Sequence, residues 1–428
     1  MSDSALYHSQ DRRERFSWAM YDFANSGYTT VVLTTLYSAF FVAVIAQQAT
    51  SATLLLTIAT SIANAVVLFT APIIGVIGDV YARKKRLLMV TTFGCILFTA
   101  LLALPGPGDI ALAMTILIIS NIMFASGENL IAAFLPELAK PAGMGRLSGF
   151  GWSVGYIGGL ITLVICLAYV TYARANGIEA SEFVRDCMLI VATIFALAAL
   201  PTLLWLKERA TPDTRRQHAV FKIAFRRLQR TFQHIHHYPD LLRFMIALTI
   251  FHCGIYIVII LAAVYASEVL GFNETDNIIL IGVVNISAAI GAYGFGRLQD
   301  RIGSLKTLSI TLLIWCLAIL LITTNQSIIV FWIAANLVGI ALGSSQSASR
   351  ALVGLLSPSH RSGEFFGLWG LCIKLAAIIG PLSYGVINWL NDGDHQISML
   401  VTLGFFVAGW FLLKTIDEQR GRALVARP

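Results

Sequence analysis

One short pattern occurs twice in this chain, and each time it joins two long apolar runs. Gly75, Asp79, Arg83 and Lys84 fall in Gly-Val-Ile-Gly-Asp-Val-Tyr-Ala-Arg-Lys-Lys-Arg. Gly296, Asp300, Arg301, Gly303 and Lys306 fall in Gly-Arg-Leu-Gln-Asp-Arg-Ile-Gly-Ser-Leu-Lys. Gly75 and Gly296 are 221 residues apart, as are Asp79 and Asp300, which is about half of the 428 residues. A duplicated basic turn between hydrophobic runs predicts a membrane protein of two similar halves, the plan of many secondary transporters.

The apolar runs support the same reading. A helix needs about 20 apolar residues to cross a bilayer. Twelve such runs fall near 22–46, 52–77, 86–104, 110–135, 147–171, 187–206, 243–268, 276–296, 307–324, 328–352, 364–389 and 397–414. They are too long, and too evenly apolar, for the alternating strands of a membrane barrel. Only 12% of the chain is charged and 57% is hydrophobic, against roughly 25% charged in a soluble domain. The net charge of +7 does not point to nucleic acid, because the basic residues sit in short connections between apolar runs. The expected class is therefore an all-α membrane protein of twelve transmembrane helices.

Lys and Arg set the orientation. Of the 30, 26 lie in the terminal segments or at the connections after even-numbered runs, with Arg350 counted at the end of run 10. The opposite connections hold only Arg174 and Arg185. Both termini are expected in the cytoplasm, with the protein in the inner or plasma membrane. Met1–Ser17, with Arg12, Arg13 and Arg15, reads as a polar tail without a typical cleavable signal. The expected units are 1–206, a six-helix half with its tail; 207–240, a basic cytoplasmic linker; and 241–428, a second six-helix half with its tail. Within the linker, Phe221–Phe232 is amphipathic and reads as a segment on the inner headgroups, with a regulatory or lipid-binding helix as the alternative. His218, His234, His236 and His237 lie there without a Cys or carboxylate at zinc-binding spacing. The six cysteines sit in or beside apolar runs, form no Cys-x-x-Cys pair and read as small buried hydrophobes. No metal or cofactor is expected.

The duplicated turn, with its G-x-x-x-D-x-x-G-R-K pattern, resembles the loop between spans 2 and 3 of the major facilitator superfamily and its copy between spans 8 and 9. Ala82 stands where the first copy usually has its second glycine. A narrower likeness lies in Trp18-Ala-Met-Tyr-Asp-Phe-Ala-Asn-Ser-Gly27, Asn129-Leu-Ile-Ala-Ala-Phe-Leu-Pro-Glu-Leu138 and Ser148-Gly-Phe-Gly-Trp-Ser-Val-Gly-Tyr-Ile-Gly-Gly159. Ser349-Arg350, Glu364-Phe-Phe-Gly367, Lys374 and Gly380-Pro381 extend it. Together these resemble the branch containing the fungal autophagy-related vacuolar amino-acid effluxer and bacterial permeases. Many members of that branch carry Asn-Asp in span 7, where this chain has His252-Cys253. The resemblance implies two pseudo-symmetric halves, with spans 1, 2, 4, 5, 7, 8, 10 and 11 lining a cavity and spans 3, 6, 9 and 12 outside.

Charged and titratable residues within runs are Asp22, Glu128, Arg243, His252, Glu268, Arg350 and Lys374, all on runs that this partition assigns to the cavity. An ionisable group in lipid is costly and by default faces a cavity or a partner. Glu128, Lys374, His252, Asp22, Asn25 and Asn129 are the candidates for substrate or proton binding. Lys374 suits a substrate carboxylate, or a bridge to Glu128 when the site is empty. Asp79, Arg83, Lys84, Asp300, Arg301, Lys306, Arg350 and Glu364 are the candidates for gating, since a carboxylate in a basic turn can meet a helix N-terminus or an Arg. There is no Walker A sequence, no H-E-x-x-H and no serine elbow, so no enzyme is expected. The expected function is secondary active transport of a small organic solute, with an amino acid, export and proton coupling favoured. Its partners are that solute, protons and lipids, without nucleic acid, and it works as a monomer. A lipid- or peptide-handling permease and a non-transporting receptor of the same fold are the alternatives.

Overall fold

The structure is a computed structural model that describes residues 12–47, 51–209, 238–325, 327–391 and 395–425. The remaining segments hold residues 1–11 of the expected tail, most of the linker with Phe221–Phe232 and its four histidines, and the side chain of Glu268.

The described residues form twelve long helices and a short thirteenth. They are α1 Arg12–Ile45, α2 Ala52–Val80, α3 Lys84–Leu101, α4 Ile110–Leu138, α5 Met144–Ala175 and α6 Ala180–Trp205, then α7 Pro239–Leu270, α8 Glu274–Ile302, α9 Ser304–Thr324, α10 Ile328–Leu356, α11 Ser362–Leu390, α12 His395–Leu413 and α13 Glu418–Val425. No strand occurs among these residues. Ten helices are long and apolar enough to cross a membrane by length and composition. α3 is apolar beyond Lys84, Lys85 and Arg86 in its first turn, and α12 has 19 residues.

α1 departs from the expected start. Residues 12–17, read as tail, already form its first turns, and Glu14, Ser17 and Trp18 are buried. Its outer half is wound wide over Thr29–Thr34 and Phe41–Ile45, with a break at Thr35 (φ −127°, ψ −92°). No proline causes this. The β-branched run Thr29-Thr30-Val31-Val32 and the pair Thr34-Thr35 crowd the preceding turn. The carbonyls released by the wide turns receive side-chain hydroxyls instead. Thr35 Oγ1 donates to Thr30 O (2.7 Å) and Ser38 Oγ to Leu33 O (2.8 Å). Such wide turns cluster at functional sites.

One apolar core runs through α1–α6 and takes in Ala351 and Leu355 of α10. A second runs through α7–α12 and takes in Ala132 and Ala133 of α4. The two sets meet where α2 packs on α11 and α5 on α8. That contact is tight at the face carrying the α2–α3, α4–α5, α8–α9 and α10–α11 turns, here called the basic face, and loosens toward the other. A Cβ added at Gly149, near the basic face, would stand 2.3 Å from the Ala292 carbonyl oxygen. One added at Gly282, toward the outer face, would find only Leu160, at 3.9 Å. Likewise α11 is buried from Ser362 to Gly370, whereas Leu382, Val386 and Trp389 are exposed.

Each set is fastened at the basic face by the same clasp. In the first, the buried Glu14 accepts from Lys207 N (3.0 Å) and from Arg209 Nη1 (2.8 Å) and Nη2 (2.6 Å), just beyond α6. Glu208 accepts from Lys85 N (2.8 Å) in the first turn of α3. In the second, the buried Asp240 accepts from Asp417 N (2.9 Å) and from Arg420 Nε (2.7 Å) and Nη2 (2.6 Å), just beyond α12. Glu418 accepts from Ser304 N (2.9 Å) in the first turn of α9. An acid at the start of a set thus grips an Arg past its end, and a neighbouring Glu caps the third helix. Glu14→Ala should therefore destabilise the protein by roughly 1–3 kcal/mol through lost charge-assisted bonds. The check is a lowered melting temperature in detergent, followed by tryptophan fluorescence at one scan rate. A melting temperature equal to wild type would show that the clasp contributes nothing.

Candidate functional site

The two copies of the repeated turn make equivalent contacts between the sets. Asp79, at the end of α2, accepts from Gly363 N (3.0 Å) and Glu364 N (2.8 Å), which open α11. Asp300, at the end of α8, accepts from Gly145 N (2.9 Å) and Arg146 N (3.1 Å), which open α5. The first N–H groups of a helix have no partner within it, and the helix dipole makes that end positive. Each carboxylate therefore crosses from one set to complete a helix end in the other.

The approach is close enough to demand glycine on both sides. A Cβ on Gly75 would stand 2.0 Å from the Gly363 carbonyl oxygen, and one on Gly296 would stand 2.6 Å from that of Gly145. The receiving helices carry a repeat of their own. Gly145 and Gly149 open α5, Gly363 and Gly367 open α11, and both members are displaced by 218 residues. This Gly-x-x-x-Gly spacing puts both glycines on one face, where two backbones can meet. Sequence reasoning noticed Gly149 and Gly367 separately and missed the pairing; the shared offset was the available signal.

The two contacts differ in what stands behind them. Lys84 is 1% exposed and its Nζ hydrogen-bonds Glu137, lies 3.0 Å from Ser362 Oγ and 3.8 Å from Asp79 Oδ1. Glu364 is buried and bound by Arg361 through Nη2 (2.8 Å) and Nε (3.0 Å). At Asp300 the position equivalent to Lys84 is Leu305. Arg83, Arg301 and Lys306 are exposed and make no ion pair with the opposite set. Of the eight gating candidates, the structure thus brings Asp79, Lys84, Asp300, Arg350 and Glu364 to the seam and leaves these three outside it.

Arg350, from α10, is 3% exposed and reaches into the first set. Its Nη1 donates to Asp22 Oδ1 (3.1 Å) and its Nη2 lies 2.9 Å from Oδ2. Its Nε donates to Ser148 Oγ (3.1 Å) and its Nη2 to Ser148 O (3.0 Å). The guanidinium carbon lies 4.7 Å from the Trp18 ring and 5.2 Å from the Trp152 ring. The sequence singled out Asp22 and Arg350 separately and did not name either as the other's partner.

Further from the basic face, Glu128 of α4 and Lys374 of α11 lie close enough to interact electrostatically, and Asp22 and Arg350 contribute at Glu128. No hydrogen bond or ion pair joins Glu128 to Lys374, so the expected bridge is not formed in this conformation. Lys374 is 8% exposed. The Asn129 side chain lies against Gly370, one turn before Lys374, where a Cβ would stand 2.3 Å from its Oδ1. Asn129 Nδ2, Asn25 Oδ1, Trp152 Nε1 and Trp369 Nε1 are buried without a hydrogen-bond partner. Buried polar groups are normally bonded, so this cluster is where a polar solute has most to gain. His252 is different: its Nδ1 lies 3.0 Å from the Leu248 carbonyl oxygen in its own helix, and its ring meets Phe251. Among the described residues, no group of His, Cys, Asp and Glu is arranged to hold a metal ion.

Two helical sets sealed at one face by related contacts, with ionisable groups buried between them, define a multi-pass membrane transporter of the major facilitator type. Solved structures share the fold. The human organic anion transporter MFSD10 superposes with a TM-score of 0.73 at 14% identity, over 94% of this chain and 99% of that one. The proton:xylose symporter XylE gives 0.68 at 17% identity, over 96% and 97%. A sequence profile described as "Vacuole effluxer Atg22 like" matches residues 40–425, and the chain belongs to that family. The uncharacterized MFS-type transporter YxiO of Bacillus subtilis is 27% identical over 95% of both chains. Autophagy-related protein 22 of Yarrowia lipolytica is 22% identical over 71% of this chain, which spans 56% of that protein. These relatives are transporters, not enzymes.

Proposed function

We propose that the protein is a secondary active transporter that exports a small zwitterionic or anionic metabolite, an amino acid in the first instance, across the inner or plasma membrane. The observation that carries this reading is the acid–base pair across the seam, with Lys374 buried and Glu128 half-buried. Glu128 belongs to one set and Lys374 to the other, and neither has a direct ion-pair partner among the described residues. A solute with an ammonium at one end and a carboxylate at the other would satisfy both. When it leaves, Glu128 is free to take a proton. The units expected from the sequence then act as two bodies that rock about this site, with 207–240 as their linker and both termini in the cytoplasm. Asp79 and Asp300 act as gates, a reading supported by their contacts with the starts of α11 and α5; with these made, the basic side is closed and the site faces outward.

The test is proton flux in proteoliposomes under an imposed pH gradient, with pooled amino acids and then other metabolite pools. Glu128→Gln should lower substrate-triggered proton flux at least about tenfold, as expected for loss of a proton-transfer group. Lys374→Ala should raise the half-saturating substrate concentration by about tenfold, as expected for loss of a charged contact. Radiolabelled exchange without proton movement would remove the coupling and leave the permease. Undiminished coupled flux in both variants would remove these residues from the site.

A further inference from the structure

We propose that Trp18, Trp152, Asp22 and Ser148 form a cation-binding site that Arg350 occupies only while the basic face is closed. In the other conformation this site takes the primary ammonium or guanidinium group of an organic solute arriving from the basic side. The proposal rests on the alternating-access reading above and adds to it a binding site for the cationic group and a means of its release.

Every contact that holds the Arg350 head belongs to α1 or α5, while Arg350 itself belongs to α10. Two indole faces, a carboxylate, a carbonyl and a hydroxyl form the donor set that recognises an alkyl cation. The site is built in advance of its occupant. Trp18 is fully buried, and its Nε1 donates to Ile131 O (2.8 Å), which fixes the ring. Gly151 forms the floor: a Cβ there would stand 2.4 Å from Asp22 Oδ2, 2.6 Å from the Trp18 ring and 2.7 Å from Arg350 Nη2. Polar atoms remain unpaired around it even with Arg350 in place. They are Asp22 Oδ2, which has a close charge but no aligned hydrogen bond, Trp152 Nε1, and Asn25 Oδ1 one turn along α1. Asp22 and Asn25 are 8% and 6% exposed.

Arg350 must leave this site when the two sets part at the basic face. A buried carboxylate left without its cation is costly, so the vacated site, with its two indoles, favours a cation of the same shape. When the face closes again, Arg350 competes for the same carboxylate and displaces the occupant. Pickup at the basic face followed by displacement on closure moves the cation outward. The charges near Asp22 are Arg350 from α10 and, from the cavity, Glu128 of α4, with Lys374 of α11 beyond it beside Glu128.

The test reads conformation, so it needs no known substrate. Spin labels at Leu54 of α2 and Trp389 of α11, which are 59% and 78% exposed near the outer ends, are placed on a cysteine-free background of the full chain in lipid nanodiscs. Methylguanidinium is titrated against its neutral isostere methylurea at constant ionic strength and pH. Methylguanidinium should raise the short-distance, outer-closed population saturably, and methylurea should not. Trp152→Leu should raise the half-saturating concentration about tenfold, and Asp22→Asn should abolish the response. Arg350→Gln should populate the outer-closed state without any cation and shows that the labels report it. If wild type ignores methylguanidinium while Arg350→Gln reaches the outer-closed state without it and does not respond to it either, Arg350 is only a fastening and the proposal is overturned. An equal response in wild type and Asp22→Asn, or a response to pH alone, overturns it as well. If no variant ever reaches the outer-closed state, the alternating-access reading itself fails.

Discussion

Gly75→Ala is expected to hold the basic face open. The new methyl would stand 2.0 Å from the Gly363 carbonyl oxygen, which is backbone and cannot turn aside. α2 and α11 must separate, and Asp79 then loses its reach to Gly363 N and Glu364 N. An overpacking cost of about 1–3 kcal/mol corresponds to roughly a 5- to 150-fold shift in population. The Leu54–Trp389 label pair should read this as a gain in the outer-closed state. The protein should still fold, because the clash lies between the two sets and not within either. Gly343→Ala is the internal comparison. Its methyl would stand 1.9 Å from the Ala288 carbonyl oxygen, between α8 and α10 of one set, so the cost there falls on folding and should appear as a lowered melting temperature. If Gly75→Ala leaves the label distances at their wild-type distribution, the close contact does not hold the conformation.

Asp79→Asn is expected to shift the same equilibrium by about a hundredfold, and Asp300→Asn by about tenfold. Hydrogen bonds to a charged group contribute roughly 1.5–3 kcal/mol each. An Asn side chain keeps one acceptor and turns an NH2 toward the second backbone N–H, so both variants lose a bond and the charge opposite the helix dipole. The difference comes from Lys84. It is buried beside Asp79, and Asp79→Asn leaves it with Glu137 as its remaining acidic partner at the seam. A buried charge that loses a partner is strongly penalised. Leu305 stands in the equivalent place near Asp300, and the arginines that act on Asp300, Arg146 and Arg422, are not buried, so no buried charge is stranded there. Equal shifts in the two variants would show that Lys84 adds nothing to the first contact.

Much of this architecture was legible in the chain. The run lengths gave the helix positions to within a few residues for most spans, because lipid forces a helix to satisfy its own backbone over a fixed thickness. α1 was the exception at its start, which lies at Arg12 and not near 22. Its first turns are polar on the exposed side, with Arg12 and Arg13, and they bury Glu14 and Ser17 through contacts made much later in the chain. The partition of charged residues onto particular runs was also readable, since an ionisable group cannot face lipid cheaply. What the residues could not show was pairing. Arg350 and Asp22 are 328 residues apart, and Asp79 and Glu364 are 285 apart. No periodicity spans such distances. The clasps escaped notice for the same reason, since Arg209 and Arg420 read only as positive charge at a membrane surface.

The sequence by itself determined that this chain is a multi-pass membrane protein and that its basic turn is written twice. Those properties follow from local composition and internal repetition. The tertiary structure alone decided that the duplicated carboxylates each complete a helix end in the opposite set. It also decided that Arg350 lies between two indoles and that Glu128 and Lys374 stand near each other without touching. These depend on where two separately packed sets come to rest against each other, which is fixed by close backbone approach at a few glycines.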